Sequence, residues 1–177
     1  MRAPLSIVIP TLNAGDDLPA CLAALMEGVS GGLVRELVIS DGGSQDATRA
    51  IALAAGAVWV EGQAGRGGQL ARGVAVSRGD WLLVLHADSR LSPGWAEAVE
   101  AGLAQGAPGY FRLTYRASGL GPRLVAGWAN LRAGRLGCPF GDQGLLVSRA
   151  DYEAAGGYRD IALMEDMALV RQLTPLR

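Results

Sequence analysis

The sequence predicts an α/β protein built on a mostly parallel central sheet. Apolar segments rich in β-branched residues alternate with helical segments through the first part of the chain, an order typical of βαβ units. These apolar segments lack the apolar–polar alternation of a half-exposed strand, which indicates strands that are covered on both faces. The 177 residues contain no internal repeat, linker or low-complexity segment, so a single domain spanning residues 1–177 is expected.

Four strand–helix pairs are predicted in the first part of the chain. The strands are expected at residues 5–10, 34–40, 57–60 and 80–86, and each ends in a polar or glycine-rich turn. The helices are expected at residues 18–29, at 45–55, from the glycine-rich loop GQAGRGGQ through residue 77, and from residue 92 onward. Ser44 is predicted to cap the second helix, and Pro93 to lie in the first turn of the fourth.

Beyond Gly106 the pattern changes. Residues 110–115 alternate apolar and polar side chains, which predicts a more exposed or edge strand. A glycine-interrupted helix at residues 118–136, a strand at 145–147 and a helix at 163–173 complete the predicted elements.

Composition excludes several classes of protein. The formal net charge is only −1 and all 16 basic residues are arginine, which argues against a nucleic-acid binder and leaves no lysine nucleophile. Cys21 and Cys138 lie far apart and lack a zinc-type spacing, so we expect buried, reduced thiols. The apolar part of the N-terminus is too short for a signal peptide, and no apolar run approaches the roughly 18 residues of a membrane span. These features predict a cytoplasmic protein.

Polar residues follow the four predicted strands. In parallel α/β sheets, ligands bind beyond the carboxyl ends of the strands, where this chain has Thr11, Asp41, the loop of residues 62–68, and the pair His86 and Asp88. Side chains two residues apart in an extended chain share a face, and an imidazole nitrogen and a carboxylate could hold a divalent cation there. The alternative is an ordinary polar strand end.

Several motifs resemble the glycosyltransferase family 2 enzymes of the GT-A fold. SIVIPTLN and VISDGGSQDAT resemble the start of these enzymes, and HADS falls where they carry an Asp-X-Asp motif, with His86 replacing the first aspartate. FGDQGLLVSRADYEAAGGY resembles the acceptor-side segment of the family, and LMEDMAL its Glu-Asp motif on a helix. The resemblance extends from Ser6 to about Leu173 and is closest to a small bacterial branch with a His-Ala-Asp motif.

The resemblance implies a GT-A-type, Rossmann-like sandwich that transfers a sugar from a nucleotide-sugar donor to an acceptor hydroxyl with inversion. It implies Mn²⁺ or Mg²⁺ bound by Asp88, with His86 either a second ligand or a residue that orients Asp88 or a phosphate. Asp166 would be the general base, and Glu165 a neighbour that raises its basicity. The implied donor and acceptor contacts are Thr11, Asp41, Gly42, Arg66, Gly67, Asp142 and Gln143.

Other readings of the same residues remain open. Asp41 could bond only the amides of its own turn, Arg66 could be solvated, and Glu165 and Asp166 could be acids that stabilise a helix N-terminus. A sugar-phosphate nucleotidyltransferase is one alternative function, although such an enzyme would normally have a basic glycine-rich loop after its first strand. The other is a nucleotide-sugar binding protein without turnover.

The acceptor side is the least determined part of the sequence. Residues 101–141 contain five arginines and no acid, which indicates a solvated basic surface, a patch for an anionic or lipid-linked acceptor, or contact with an acidic membrane. Such contact would place the protein at the inner face of the membrane. Related chains continue past the Glu-Asp helix, so we expect a domain that is C-terminally short. The sugar, the base, the acceptor and the oligomeric state are not determined.

Overall fold

A computed structural model describes residues 3–115, 120–136, 139, 141–161 and 163–173. The five strands are β1 (Leu5–Thr11), β2 (Val34–Asp41), β3 (Val58–Glu61), β4 (Trp81–Val84) and β5 (Leu145–Ser148). They form one sheet in the order β3-β2-β1-β4-β5, in which β5 alone runs antiparallel to its neighbour. The predicted α/β class with a mostly parallel sheet is confirmed.

Helices cover both faces of this sheet. The helices are α1 (Leu18–Ser30), α2 (Thr48–Ala54), α3 (Arg66–Val76), α4 (Trp95–Gln105), α5 (Leu120–Leu136), α6 (Arg149–Ala154) and α7 (Glu165–Val170), with a 3₁₀ turn at Gly141–Gln143. None of the helices in the described part of the chain is long and apolar enough to cross a membrane.

Alternate side chains of the central strands supply two separate cores. Ile7 and Ile9 of β1 pack with α1 and α4 on one face of the sheet, whereas Val8 packs with α3 and α7 on the other. Successive side chains of a strand point to opposite faces, so a strand buried on both sides must be apolar at every position. This requirement explains the continuous apolar runs in the sequence.

The predicted edge strand at residues 110–115 is wrong. Gly109 alone forms a bridge, to Leu146, and the chain then leaves the sheet. The backbone N–H of Phe111 donates to the Gln143 carbonyl at 2.8 Å, and the side chain of Asn130 bonds both the N–H and the carbonyl of Leu113 at 2.8 and 2.9 Å. Because these partners come from other elements, the segment needs no strand ladder.

Two predicted helix starts are also wrong. The Ser44 hydroxyl donates to Asp41 at 2.6 Å and accepts the N–H of Asn13 at 2.7 Å, so it is occupied in the loop and α2 begins later, at Thr48. Pro93 lies before α4, which begins at Trp95 with Gly94 as its N-cap. The hydrogen bonds of the Ser44 side chain to neighbouring loops therefore determine where α2 begins, and sequence periodicity does not reveal such bonds.

The fourth strand and the last helix are both shorter than predicted. Helix α7 spans Glu165–Val170, whereas residues 163–173 were predicted. Strand β4 ends at Val84, and His86 and Asp88 lie in a following turn in which the Ser89 N–H donates to the His86 carbonyl at 3.1 Å. The expectation that His86 and Asp88 share one face of an extended strand is therefore wrong.

The cysteine prediction is confirmed for Cys21. Its thiol is free and buried, and burial, with a smaller effect of the Asp88 charge, raises its pKa to about 12. Cys138 lies outside the described residues, as do Arg116, Phe140 and residues 118–119 of the predicted helix.

Helix α3 approaches the sheet closely at Gly73. A methyl group on Gly73 would lie 2.6 Å from Val8 Cγ1 and 3.3 Å from Ser40 Cβ. We expect Gly73→Ala to lower the free energy of unfolding by about 1–3 kcal/mol through overpacking, measured by urea denaturation. The matched control is Gly127→Ala in α5, where nothing lies within 4 Å; it should add roughly 0.5–1 kcal/mol because alanine favours helix. Equal effects of both substitutions would contradict the close approach.

Candidate active site

Two clefts meet at the carboxyl end of the sheet. The smaller, of about 420 Å³, is lined by the loop after β1, the N-terminus of α3 and the turn after β4. It brings together four of the predicted site residues, namely Thr11, Arg66, His86 and Asp88. The larger, of about 910 Å³, lies between α4, residues 111–115 and the 3₁₀ turn. Asp88 and Asp17 line both clefts, so these two carboxylates mark the junction.

Asp41 joins the ends of β1 and β2. Its buried carboxylate accepts the hydroxyl of Thr11 at 2.7 Å, the hydroxyl of Ser44 at 2.6 Å, and the N–H groups of Ser44 and Gly43 at 2.7 and 2.8 Å. Burial alone would raise the pKa of Asp41, but these hydrogen bonds outweigh burial and hold the pKa below its usual value. A carboxylate accepts about four hydrogen bonds. Its acceptor capacity is therefore taken up within the protein, and contact with a nucleoside stays a prediction.

Gln69 of α3 connects the same strand ends to the next loop. Its buried amide donates to the carbonyls of Thr11 at 2.7 Å and Ser40 at 3.0 Å, and its oxygen accepts the N–H of Gly65 at 3.2 Å. No sequence motif had singled out Gln69 as a site residue. The sequence does contain one indication of its role, because Gln69 is a polar residue next to Leu70 on the buried face of a predicted helix.

The two predicted ligand-binding glycines serve packing. A methyl group on Gly42 would lie 3.1 Å from the Cα of Ala64 and 3.1 Å from Gln69 Oε1. One on Gly67 would clash with the carbonyl oxygen of Arg159. Both glycines therefore let backbone segments approach each other, and contact of either with a ligand stays a prediction.

Arg66 pairs with a buried acid from another element. Its Nε lies 3.6 Å from Oε1 of Glu165, and the Arg66 side chain is 54% exposed whereas that of Glu165 is 3% exposed. This Glu165 oxygen has no hydrogen-bond partner. The pair joins the N-termini of α3 and α7 and holds a guanidinium at the edge of the smaller cleft. The sequence motifs predict separate roles for these two residues and do not reveal that they pair.

His86 and Asp166 face each other across Gly141. The backbone N–H of Gly141 donates to Asp166 Oδ2 at 3.0 Å. A methyl group on Gly141 would lie 2.6 Å from His86 Nε2 and would also clash with Asp166 Oδ2. A side chain at this position would crowd both polar atoms, so the approach of His86 to Asp166 requires glycine at residue 141. His86 Nε2 is buried without a hydrogen-bond partner.

The pKa of Asp166 is raised. Burial is the main cause, followed by the negative charge of Glu165, whereas His86, Arg66 and the Gly141 N–H act in the opposite direction. A carboxylate with a raised pKa is a stronger base than an ordinary aspartate.

The pKa of His86 is lowered. Burial is the main cause and the Arg66 charge the second, against the opposing charges of Asp166, Asp88 and Asp142. The imidazole is therefore neutral at neutral pH. A neutral imidazole has one nitrogen that donates a hydrogen bond and one that can accept a hydrogen bond or bind a metal ion.

Asp142 and Gln143 lie in the 3₁₀ turn beside the larger cleft, which both line. Asp142 is exposed and available to a ligand. Gln143 is buried, and its amide donates to the Phe111 carbonyl at 3.2 Å and to the side chain of Asn130 at 3.3 Å. Gln143 therefore holds the cleft wall together.

The side chains present fit a divalent cation that arrives with a phosphate ligand. Among the described residues, no three His, Cys, Asp or Glu side chains form a group that could hold a metal by themselves. Mg²⁺ at phosphate sites is usually held by one or two carboxylates, with phosphate and water oxygens completing the octahedron. Asp88 is exposed at the cleft junction and offers one such carboxylate. The unpartnered His86 Nε2 is a second polar atom nearby.

Comparisons with known proteins agree with this architecture. A glycosyltransferase of PGL/p-HBAD biosynthesis from Mycobacterium bovis is 39% identical over 99 residues, which are 51% of this chain and 38% of that protein. Glucosyl-3-phosphoglycerate synthase from Mycobacterium tuberculosis has been solved with Mn²⁺, UDP-glucose and phosphoglyceric acid. It superposes on this chain with a TM-score of 0.62 at 25% sequence identity, and the match covers 85% of this chain and 58% of the synthase. S. aureus TarS superposes with a TM-score of 0.70 at 14% sequence identity, and the match covers 97% of this chain and 56% of the TarS chain.

These likenesses confirm the predicted GT-A-type fold. The chain matches less than two thirds of the length of each of these three relatives. The closer assignment to a branch with a His-Ala-Asp motif stays a prediction. The Glycosyl transferase family 2 model matches residues 6–122, well over half of the sequence, and the chain belongs to that family.

Proposed function

We propose that this chain transfers a sugar from a nucleotide-sugar donor to an acceptor hydroxyl, with inversion and with the help of a divalent cation. One observation carries the proposal: two clefts meet at an exposed aspartate, Asp88, and the turn that carries it also carries His86, which faces the half-buried carboxylate of Asp166, whose pKa is raised. Both charges act on His86, which lines the smaller cleft. In this proposal the smaller cleft would be the donor site, the larger cleft the acceptor site, and Asp166, opposite His86, the base.

The smaller cleft is the proposed donor site. The nucleoside would lie against Thr11 and the loop after β1, whose position depends on Asp41. The diphosphate would lie near the guanidinium of Arg66, since a planar group with several donors suits phosphate oxygens. Arg66 is half exposed and pairs with Glu165 through one nitrogen, so its other nitrogens can turn toward the donor.

Asp88 is the proposed cation ligand at the junction of the clefts. When bound, a divalent cation would neutralise the charge that develops on the diphosphate leaving group. Mn²⁺ and UDP-glucose in the mycobacterial synthase of similar fold support this role. His86 would support Asp88 or a phosphate oxygen from the same turn.

Asp166 is the proposed general base. Its half-buried carboxylate would take the proton of the acceptor hydroxyl while the oxygen attacks the anomeric carbon and the bond from that carbon to the diphosphate breaks. One such displacement inverts the configuration. The acceptor would approach through the larger cleft, where Asp142 can bond its hydroxyls.

The first prediction concerns Asp41. Asp41→Ala removes the acceptor of four hydrogen bonds, so we expect the free energy of unfolding to fall by roughly 2–4 kcal/mol and UDP affinity to fall because Thr11 and its loop lose their position. Urea denaturation and UDP titration measure the two effects. Asp46→Ala, in the exposed turn that follows, should have a smaller effect on both. A loss of affinity at unchanged stability would instead indicate direct contact between Asp41 and the nucleoside.

The second prediction concerns the cation. UDP or GDP should raise the melting temperature more with Mn²⁺ than with a chelator, because a ligand that binds the folded state stabilises it. Asp88→Asn should abolish this increment, and His86→Ala should weaken it. Asp17→Asn changes the other carboxylate at the junction and should retain it. Equal nucleotide shifts in Mn²⁺ and chelator would show that no cation takes part in donor binding.

The third prediction separates a base from a structural acid at Asp166. Asp166→Asn should lower turnover about 10²–10⁴-fold and leave donor affinity nearly unchanged, measured by transfer or slow donor hydrolysis and by donor titration. Asp80→Asn, at the opposite end of the sheet, should retain wild-type turnover.

Stability gives an independent test of the same substitution. The pKa of Asp166 is raised in the folded state, so stability falls as pH rises from the unfolded-state pKa of this aspartate to the raised folded-state pKa, and it stays lower above that range. The asparagine variant should therefore be at least as stable as wild type at neutral pH, and the difference should shrink as pH falls. Wild-type turnover together with lost stability would assign Asp166 to helix capping and favour a binding protein without turnover.

A further inference from the structure

Helix α5 presents its large apolar side chains to solvent. Leu124 is 72% exposed and Trp128 is 64% exposed, and Val125 and Leu131 are also exposed. The side of α5 that packs on the protein carries small residues, namely Ala126, Ala129 and Ala133. Residues three or four apart share a helix face, so Leu124, Trp128 and Leu131 form one stripe opposite the alanines. We call the exposed side chains of Leu124, Val125, Trp128 and Leu131 the α5 face.

Positive charge surrounds the α5 face. Residues 101–141 contain five arginines and no aspartate or glutamate, whereas the other residues contain eleven arginines and seventeen acids. Arg123 and Arg135 are exposed on α5 itself, and Arg112 is exposed beside the larger cleft. With five arginines and no acid, the region that carries the exposed apolar stripe has a net positive charge in a chain whose formal net charge is −1.

The α5 face is connected to the larger cleft. Asn130 of α5 bonds the backbone N–H and carbonyl of Leu113, and Leu113, Arg112 and Tyr115 line that cleft. Gln143 of the cleft wall also donates to Asn130. A body that covers the α5 face would therefore lie next to the cleft.

We propose that the α5 face docks on an anionic lipid bilayer. Leucine and tryptophan side chains on a helix enter the boundary between headgroups and acyl chains, and flanking arginines are attracted to acidic headgroups. A second copy of the chain fits less well, because a symmetric contact would bring Arg123 and Arg135 of both copies together without an acid from residues 101–141 to pair with them. The bilayer matches both the apolar stripe and the charge.

One consequence rests on the proposed transferase function. A bilayer against α5 would bring headgroup hydroxyls or phosphates to the larger cleft, which makes a membrane lipid the class of acceptor. Docking itself needs no donor or catalysis, so it can be tested separately from transfer.

The test is sedimentation of the whole chain with lipid vesicles in the absence of nucleotide. We expect binding to vesicles that contain phosphatidylglycerol, weaker binding to phosphatidylcholine alone, and release at high ionic strength. Leu124→Ser with Trp128→Ser should reduce the partition coefficient by about tenfold or more. Arg123→Gln with Arg135→Gln should reduce it about tenfold or more on anionic vesicles only.

Matched controls lie on other helices. Met26→Ser with Leu53→Ser removes two comparably exposed apolar side chains from α1 and α2, and Arg49→Gln with Arg171→Gln removes two exposed arginines; both should leave vesicle binding unchanged. Circular dichroism melts check that every variant is folded. Absence of vesicle binding, or binding that survives both α5 variants, would overturn the proposal. A concentration-dependent dimer that the serine variant abolishes, without vesicle binding, would make the α5 face a self-association surface and would also overturn it.

If the wild type binds vesicles but transfers no sugar to lipid or water-soluble acceptors, docking stands and the proposed function fails. If it transfers sugar but ignores vesicles, the function stands and docking fails.

Discussion

The buried carboxylate of Asp41 is the constraint on which the geometry of the site depends. Strands β1 and β2 end side by side, with Thr11 opposite Asp41 in the register, and the carboxylate bonds both the Thr11 hydroxyl and the turn after β2. Gln69 then connects these strand ends to the loop before α3. Two buried polar side chains thus hold together the strand ends and loops that line the smaller cleft, because each would leave unpaired buried groups if the loops moved.

The charged groups at the entrance of the site come from elements that are far apart in sequence. Helix α7 places the acids Glu165 and Asp166 against Arg66 and His86. Burial and the neighbouring acid raise the pKa of Asp166, while burial and Arg66 lower that of His86. The same packing therefore raises the pKa of a carboxylate and lowers that of an imidazole on the two sides of Gly141, as the proposed general base and donor site require.

The region after Gly106 follows a different principle from the sheet. Its backbone groups are bonded by the side chains of Asn130 and Gln143 where a strand ladder would otherwise serve, and α5 packs on the protein through alanines. Helix packing through small residues leaves leucines and a tryptophan outside. An amphipathic helix normally buries its large apolar residues, so α5 reverses the usual arrangement, and this reversal is the observation behind the proposed docking on a bilayer.

The sequence by itself determined the α/β class, the succession of the first four strands along the chain, and the position of Thr11, Asp41, His86 and Asp88 at or just beyond the carboxyl ends of these strands. These follow from local patterns, since continuous apolar runs and glycine-rich turns record burial and chain reversal directly. Only the tertiary structure decided that residues 110–115 leave the sheet, and that Ser44 bonds Asn13 and Asp41 and does not cap α2. It also decided that Arg66 pairs with Glu165 and that His86 faces Asp166. Each of these depends on a partner distant in sequence, and the periodicity of a single segment carries no information about which partner the fold will bring near.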